Sequence, residues 1–169
     1  MEQTLKMTTP KVDERPDQHY MGIRTRTTME NFADVIPRLN GEVFDWLAQH
    51  GIAPAGPPLC RYYVIDMPGN LDVELGVPVA TMIAGDERVR PNVMPAGRYA
   101  SLVYTGVQNG IAGNAALLAW GVEQGLAWDQ WETSQGDAFG GRVEYFLTGP
   151  ENDPDPAQWD TEVAIRLVD

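Results

Sequence analysis

Hydrophobic and polar positions alternate along the chain in two rhythms, and the changes between them mark the expected elements. HYMGIRTRT (19 to 27) has strand-like composition. The region after it takes a helical spacing, with Leu39, Val43, Trp46 and Leu47 as an apolar stripe opposite Glu42, Asp45 and Gln49. Thr27 with Glu30 three residues on has the form of a capping box, Pro37 is expected to divide the helical region, and Gly51 to close it. Past the turn-rich GIAPAGPPL, CRYYVIDMP predicts a strand ending at Pro68 and LDVELGVPV (71 to 79) predicts another.

The second half runs through the same order. GRYASLVYTG (97 to 106) reads as a strand, about Ile111 to Gln124 as a helix closed by Gly125, GRVEYFLTGP as a strand, and TEVAIRLV (161 to 168) as the last strand. Overlaying the halves sets Tyr20 on Tyr99, Trp46 on Trp120, Pro68 on Pro150 and Glu74 on Glu162. The pattern is that of an internal duplication, with pseudo-repeats of about 11–80 and 88–169 inside one domain spanning 1–169. Neither half could cover its own small sheet, so the two are expected to pack together, and an interface of repeats is a common place for a ligand cleft. Aligning the strands that end at Pro68 and Pro150 sets Tyr62 opposite Glu144.

Composition narrows the function classes. The 169 residues are 43% hydrophobic and 21% charged, enough for the core of a single domain. Twelve Lys and Arg against 24 Asp and Glu give a net charge of -12, which opposes phosphate backbones and anionic membranes and attracts cations. The same acidity is also a common route to solubility. One cysteine, Cys60, excludes an internal disulfide, and with only His19 and His50 beside it no zinc set forms, so neither a metal nor a cofactor is expected. No apolar run approaches the ~20 residues needed to cross a bilayer, and the start MEQTLKMTTPK lacks a signal-peptide core, which points to the cytoplasm. TGVQNGIAGNAALL is glycine-rich but lacks the GK[ST] of a phosphate loop, and Ser101 and Ser134 lack a nucleophile-elbow context.

The ordered segments HYMGIRTRT, WLAQHGI with GPPLCRYYVID, LDVELGVPV, MPAGRYASLVYTG, LLAWGVEQGL, VEYFLTGP and PDPAQWDTEVAIRL resemble the GyrI-like, or SOUL-type, effector-binding domains. These occur alone and fused to transcriptional regulators of the AraC and BmrR kinds. The resemblance runs from about Tyr20 to Val168. It implies an α+β fold of two strand-helix-strand-strand units with antiparallel sheets and two main helices, related by a pseudo-two-fold with a hydrophobic cleft between them. It also implies that a glutamate in the strand matching VEYFL lies at the base of the cleft among aromatic side chains and meets cationic ligands. Glu144 holds that position here. No helix-turn-helix fits before Tyr20 and the acidic balance is wrong for one, so a stand-alone member without direct nucleic-acid binding is expected.

Period-two alternation puts Arg142 and Phe146 on the face of Glu144, with Val143, Tyr145 and Leu147 opposite. On composition alone a strand glutamate faces solvent, since charged residues are seldom fully buried. The resemblance turns it into the cleft, where its charge needs compensation, and Arg142 is expected as a counter-ion at the rim. Tyr62 reads either as a core tyrosine with a satisfied hydroxyl or as a donor to the carboxylate or ligand. Tyr104 is placed to reach the cleft mouth, and Trp131 and Phe139, in AWDQWETSQGDAFGG, either cover a pocket or pack on the surface. Glu74 and Glu162 are expected as solvated or edge charges, with the alternative that one of them helps set the potential of the cleft.

Three functions follow. The first is binding of amphipathic, aromatic and preferably cationic small molecules, as in multidrug or toxin sequestration, with Glu144, Tyr62, Tyr104, Trp131, Phe139 and Phe146 as contacts. The second, implied by stand-alone GyrI-like members, is hydrolysis of a reactive cyclopropane in a DNA-alkylating compound, with Glu144 activating water and Tyr62 steadying charge. The third is an acidic regulator that contacts DNA gyrase.

Overall fold

The computed structural model describes residues 6–168, so the polar opening MEQTL and Asp169 lie outside the described residues. The chain runs β1 (Lys11–Arg15), β2 (Gln18–Thr27), α1 (Met29–Gln49), β3 (Leu59–Ile65) and β4 (Leu71–Pro78). It continues through β5 (Arg90–Met94), β6 (Gly97–Thr105), α2 (Gly110–Glu123), β7 (Gln130–Thr133), β8 (Gly136–Phe139), β9 (Arg142–Phe146) and β10 (Asp160–Arg166). The strands form one antiparallel sheet in the order β1-β6-β10-β9-β3-β4-β2-β5, with the β7–β8 hairpin attached to β3. Exchanging β1 with β5, β6 with β2, β10 with β4 and β9 with β3 returns the same order. The fold is therefore α+β and duplicated, with its pseudo-two-fold between β9 and β3.

Each unit opens with a short strand that hydrophobic patterning does not signal. β1 pairs with β6 of the other unit and β5 with β2, so each unit lends an edge strand to its mate. KVDER and RPNVM are polar and partly exposed, and backbone pairing rather than burial makes them strands. The registers also correct the expected symmetry. Glu74 pairs with Arg61 and Glu162 with Tyr145, which makes Arg61 and Tyr145 equivalent. The equivalent of Glu144 is then Cys60, which faces it directly across the axis, and Tyr62 corresponds to Phe146. Pro68 and Pro150 mislead as landmarks because β3 ends at Ile65 after a bulge beyond Tyr62, and the following turn has its own length.

α1 starts one residue later than expected, with Thr28 as cap accepting from the Asn31 N–H at 3.4 Å. Pro37 lies inside α1 and does not divide it. The lost hydrogen bond is outweighed by packing, since Val35, Leu39, Val43 and Leu47 are buried on both sides of the proline. Gly51 adopts φ +68, the left-handed conformation that ends a helix without a Cβ penalty.

α1 packs on β2 and β4, and α2 on β6, both on one face of the sheet. Under α1 lie Met21, Ile23, Val73 and Leu75 with Val43 and Leu47 of the helix. Under α2 lie Leu102, Tyr104, Val163 and Ile165 with Leu117. On the opposite face Tyr20, Leu59, Met94, Tyr99, Val143 and Tyr145 cluster. β2 and β6 stand far apart in the strand order, so Tyr20 and Tyr99 share a cluster because the sheet curls towards that face. No helix among the described residues is long and apolar enough to cross a membrane.

Candidate functional site

β9 occupies the centre of the sheet, and its alternation is as the sequence predicts: Val143 and Tyr145 enter the curled face, while Arg142, Glu144 and Phe146 turn to the helices. Glu144 is 7% exposed. Its Oε1 accepts from the Tyr62 hydroxyl and its Oε2 from the Tyr104 hydroxyl. Tyr62 belongs to the core under α1 and Tyr104 to the core under α2, so the carboxylate sits on the seam between the two units. Phe32 of α1 meets the Tyr62 ring edge-on, with centroids 5.8 Å apart at 61°. Gly113 of α2 lies against Tyr104 so closely that a Cβ there would stand 2.6 Å from the ring.

Electrostatics fix the protonation of the groups around Glu144. Burial, and then the charge of Glu144, raise the pKa of both Tyr62 and Tyr104, so both remain hydroxyl donors at neutral pH. Burial followed by Glu144 also pushes the Cys60 thiol well up, which makes it a packed neutral group rather than a reactive thiolate. Arg142 is not a rim counter-ion. It is buried, its guanidinium lies 4.7 Å from the Phe139 ring centroid, and Nη2 donates to Asn114 Oδ1 of α2 at 2.9 Å. Among the described residues it makes no ion pair with Glu144, its Nε has no partner, and burial lowers its pKa. Glu144 is thus held by two neutral hydroxyls.

The structure brings together three of the expected site residues, Glu144, Tyr62 and Tyr104, by direct hydrogen bonds. Phe146 lies on the same strand face and packs against the α1 core, and Phe139 is buried beneath Arg142. Trp131 stands 53% exposed on β7, because the segment read as an aromatic loop is the β7–β8 hairpin. Phe32 was missed, although it lies three and seven residues before Val35 and Leu39 on the same helical stripe. Asn114 carried no signal, since its role depends on where α2 meets β9.

A second buried acid lies on the curled face, where a solvated or edge charge was expected. Glu74 is 4% exposed and accepts from Tyr20, from the Tyr63 hydroxyl at 2.7 Å and from Asn92 Nδ2 at 3.2 Å. Its counterpart Glu162 accepts from Arg15 Nη1 at 2.9 Å. Alternation placed both away from the helices, but the curl of the sheet encloses that face as well. No group of three or more His, Cys, Asp and Glu side chains that could hold a metal ion is gathered among the described residues.

The sequence matches the GyrI-like small molecule binding domain from residue 8 to residue 168. The chain belongs to this family. No curated protein matches this GyrI-like domain by sequence. In fold it is similar to the C-terminal domain of EcmrR, with a TM-score of 0.72 at 17% identity over 95% of this chain and 97% of that one. It spans 57% of the EcmrR chain seen in complex with DNA. SAV2435 bound to tetraphenylphosphonium has a TM-score of 0.62 at 12% identity, over 95% of this chain and 94% of that one. A hydrolase from Listeria innocua has a TM-score of 0.60 at 12% identity, over 94% and 91%. At these identities the GyrI-like domain shares a fold with them.

Proposed function

We propose that the chain binds amphipathic aromatic cations between α1 and α2, with Glu144 meeting the positive charge. The observation that carries this reading is a buried carboxylate hydrogen-bonded by two neutral tyrosines and unpaired with the nearby Arg142. A buried charge without a counter-ion is costly, and a bound cation supplies the missing partner. Tyr62 and Tyr104 bring aromatic rings to it, with Phe32 against Tyr62 and Phe146 on the same strand face, and each ring that a bound cation comes to face adds about 0.5 to 2 kcal/mol. The net charge of -12 favours the same class of ligand. Similarity in fold to a protein bound to tetraphenylphosphonium supports the choice.

Entry requires movement, because Glu144 is buried. The hydroxyls must leave the carboxylate and a covering element must shift. α2 is suited to this, since only Gly113, Leu117 and Gly121 of it are buried. Trp131, exposed on its hairpin, takes no part in this reading, while Phe139 acts through Arg142. Titrating tryptophan fluorescence with tetraphenylphosphonium and with a neutral aromatic of similar size tests it. Saturable binding that favours the cation is expected, and absence of saturation or of that preference overturns the proposal.

The same cluster supports a second reading, hydrolytic opening of an electrophilic cyclopropane. Glu144 would take a proton from water whose oxygen bonds to a ring carbon. The ring C–C bond breaks, its electron pair moves to the conjugated carbonyl, and a tyrosine hydroxyl stabilises the developing oxyanion before it is protonated. A water adduct found by mass spectrometry and lost in Glu144→Gln supports turnover. An unchanged compound, or an equally active variant, removes this reading and leaves the binding proposal standing.

A further inference from the structure

The face of the sheet away from the helices holds a cleft of about 290 Å³ that is separate from Glu144. Buried Tyr99 and Tyr145 lie at its base, while Pro16, Pro95 and exposed Leu147 stand around its opening. Met94 and Pro57 add further apolar wall. The charged part is an ion pair between Arg15 and Glu162, whose side chains are 22% and 20% exposed. Arg15 is shared, since Nη1 donates to Glu162 Oε1 at 2.9 Å and Nε to Asp13 Oδ1 at 3.3 Å. Lys11 Nζ also meets Asp13 Oδ2 at 3.9 Å, at the exposed end of the group and away from Glu162. No donor reaches Glu162 Oε2 among the described residues. Tyr145 is fixed in place by its hydroxyl, which donates to Gln18 Oε1 at 2.6 Å.

We propose that this cleft is a second small-molecule site, specific for compact organic ammonium ions that carry one aromatic or aliphatic ring. The ammonium group takes the free oxygen of Glu162, and the ring lies against Tyr99 and Tyr145 between the prolines. An anionic ligand is disfavoured by the net charge of -12 on the chain, which favours cations at its surface. The volume of about 290 Å³ lies just below the ~300–1,000 Å³ range of ligand sites, which selects single-ring amines over large dyes. The site is independent of Glu144, which faces the other side of the sheet.

Phenethylammonium, with 2-phenylethanol as its uncharged counterpart, is the probe, and the ε-methyl of Met94 in a ¹³C-methyl-methionine NMR spectrum of the full chain is the reporter. A saturable shift of the Met94 methyl is expected, with affinity at least fivefold higher for the cation than for the alcohol. Glu162→Gln should weaken binding at least fivefold, and Glu144→Gln should leave it within twofold of the parent. Leu147→Arg, at an exposed position, brings a repelling charge to the opening and should weaken binding equally, which decides the matter if Glu162→Gln does not fold. No Met94 shift, equal affinity for the alcohol, or loss of the shift in Glu144→Gln overturns the proposal.

Discussion

Tyr62 and Tyr63, neighbours in β3, donate to two different buried glutamates on opposite faces of the sheet: Tyr62 to Glu144 and Tyr63 to Glu74. Strand alternation sends the two side chains to opposite faces, and the register shift between Tyr62 and Val64 follows directly. The guanidinium groups of Arg24 and Arg61 lie 3.8 and 4.6 Å from the Tyr63 ring centroid. One short segment therefore anchors both acid clusters.

If Glu144 meets the ligand charge, Glu144→Gln should weaken cationic ligands at least tenfold, about 1.4 kcal/mol, and neutral aromatics much less. Fluorescence titration of the parent and of Glu144→Gln with a matched cation and neutral pair reads this directly. Equal losses for both ligands would mean that the residue shapes the cleft without sensing charge.

The hydroxyls of Tyr62 and Tyr104 are each expected to matter for stability in the ligand-free protein. Tyr62→Phe and Tyr104→Phe each leave one oxygen of a buried carboxylate without its donor, a cost of about 1–3 kcal/mol. Urea unfolding should show the double variant losing more than either single one, and a double-mutant cycle should depart from additivity because both act on one group.

Glu74→Ala removes the acceptor shared by Tyr20, Tyr63 and Asn92 and leaves Arg61 without its nearby acid. Breaking a buried charged network from one side costs about 3–5 kcal/mol. Calorimetry should therefore show a greater loss for Glu74→Ala than for Glu151→Ala, which lies on an exposed loop.

All six tyrosines have raised pKa values, chiefly through burial, with Tyr145 pushed up to about 12 from the ordinary 10. A raised folded-state value means that stability is fully present below about pH 10 and is lost as pH climbs from there towards the folded value, because the unfolded chain releases its phenolic protons first. Absorbance at the tyrosinate band should stay low in the native protein past pH 10 and then rise together with loss of near-ultraviolet circular dichroism. Gradual ionisation near pH 10 without unfolding would contradict this.

Gly113→Val should displace Tyr104, since even a Cβ at that position would stand 2.6 Å from its ring. Overpacking of this kind costs about 1–3 kcal/mol. The variant should melt lower, and any ligand affinity that depends on α2 closing over Glu144 should fall with it.

The sequence by itself determined the two helices, the alternation of β9 and the doubling of the unit, because each rests on local periodicity or on glycines that end helices. Membership of the family was legible in the ordered segments, and the face on which Glu144 lies was legible in the alternation of its strand. That the segment carrying Trp131 is a hairpin was not legible, because strand pairing leaves no mark in composition. Pro37 was misjudged because packing on either side of it overrides local preference. Only the tertiary structure decided that Arg142 is held by Asn114 and Phe139 and that Cys60, not Tyr62, is the equivalent of Glu144. It alone decided that Glu74 is buried. These facts depend on strand register and on the curl of the sheet, and both arise from contacts between residues far apart in the chain.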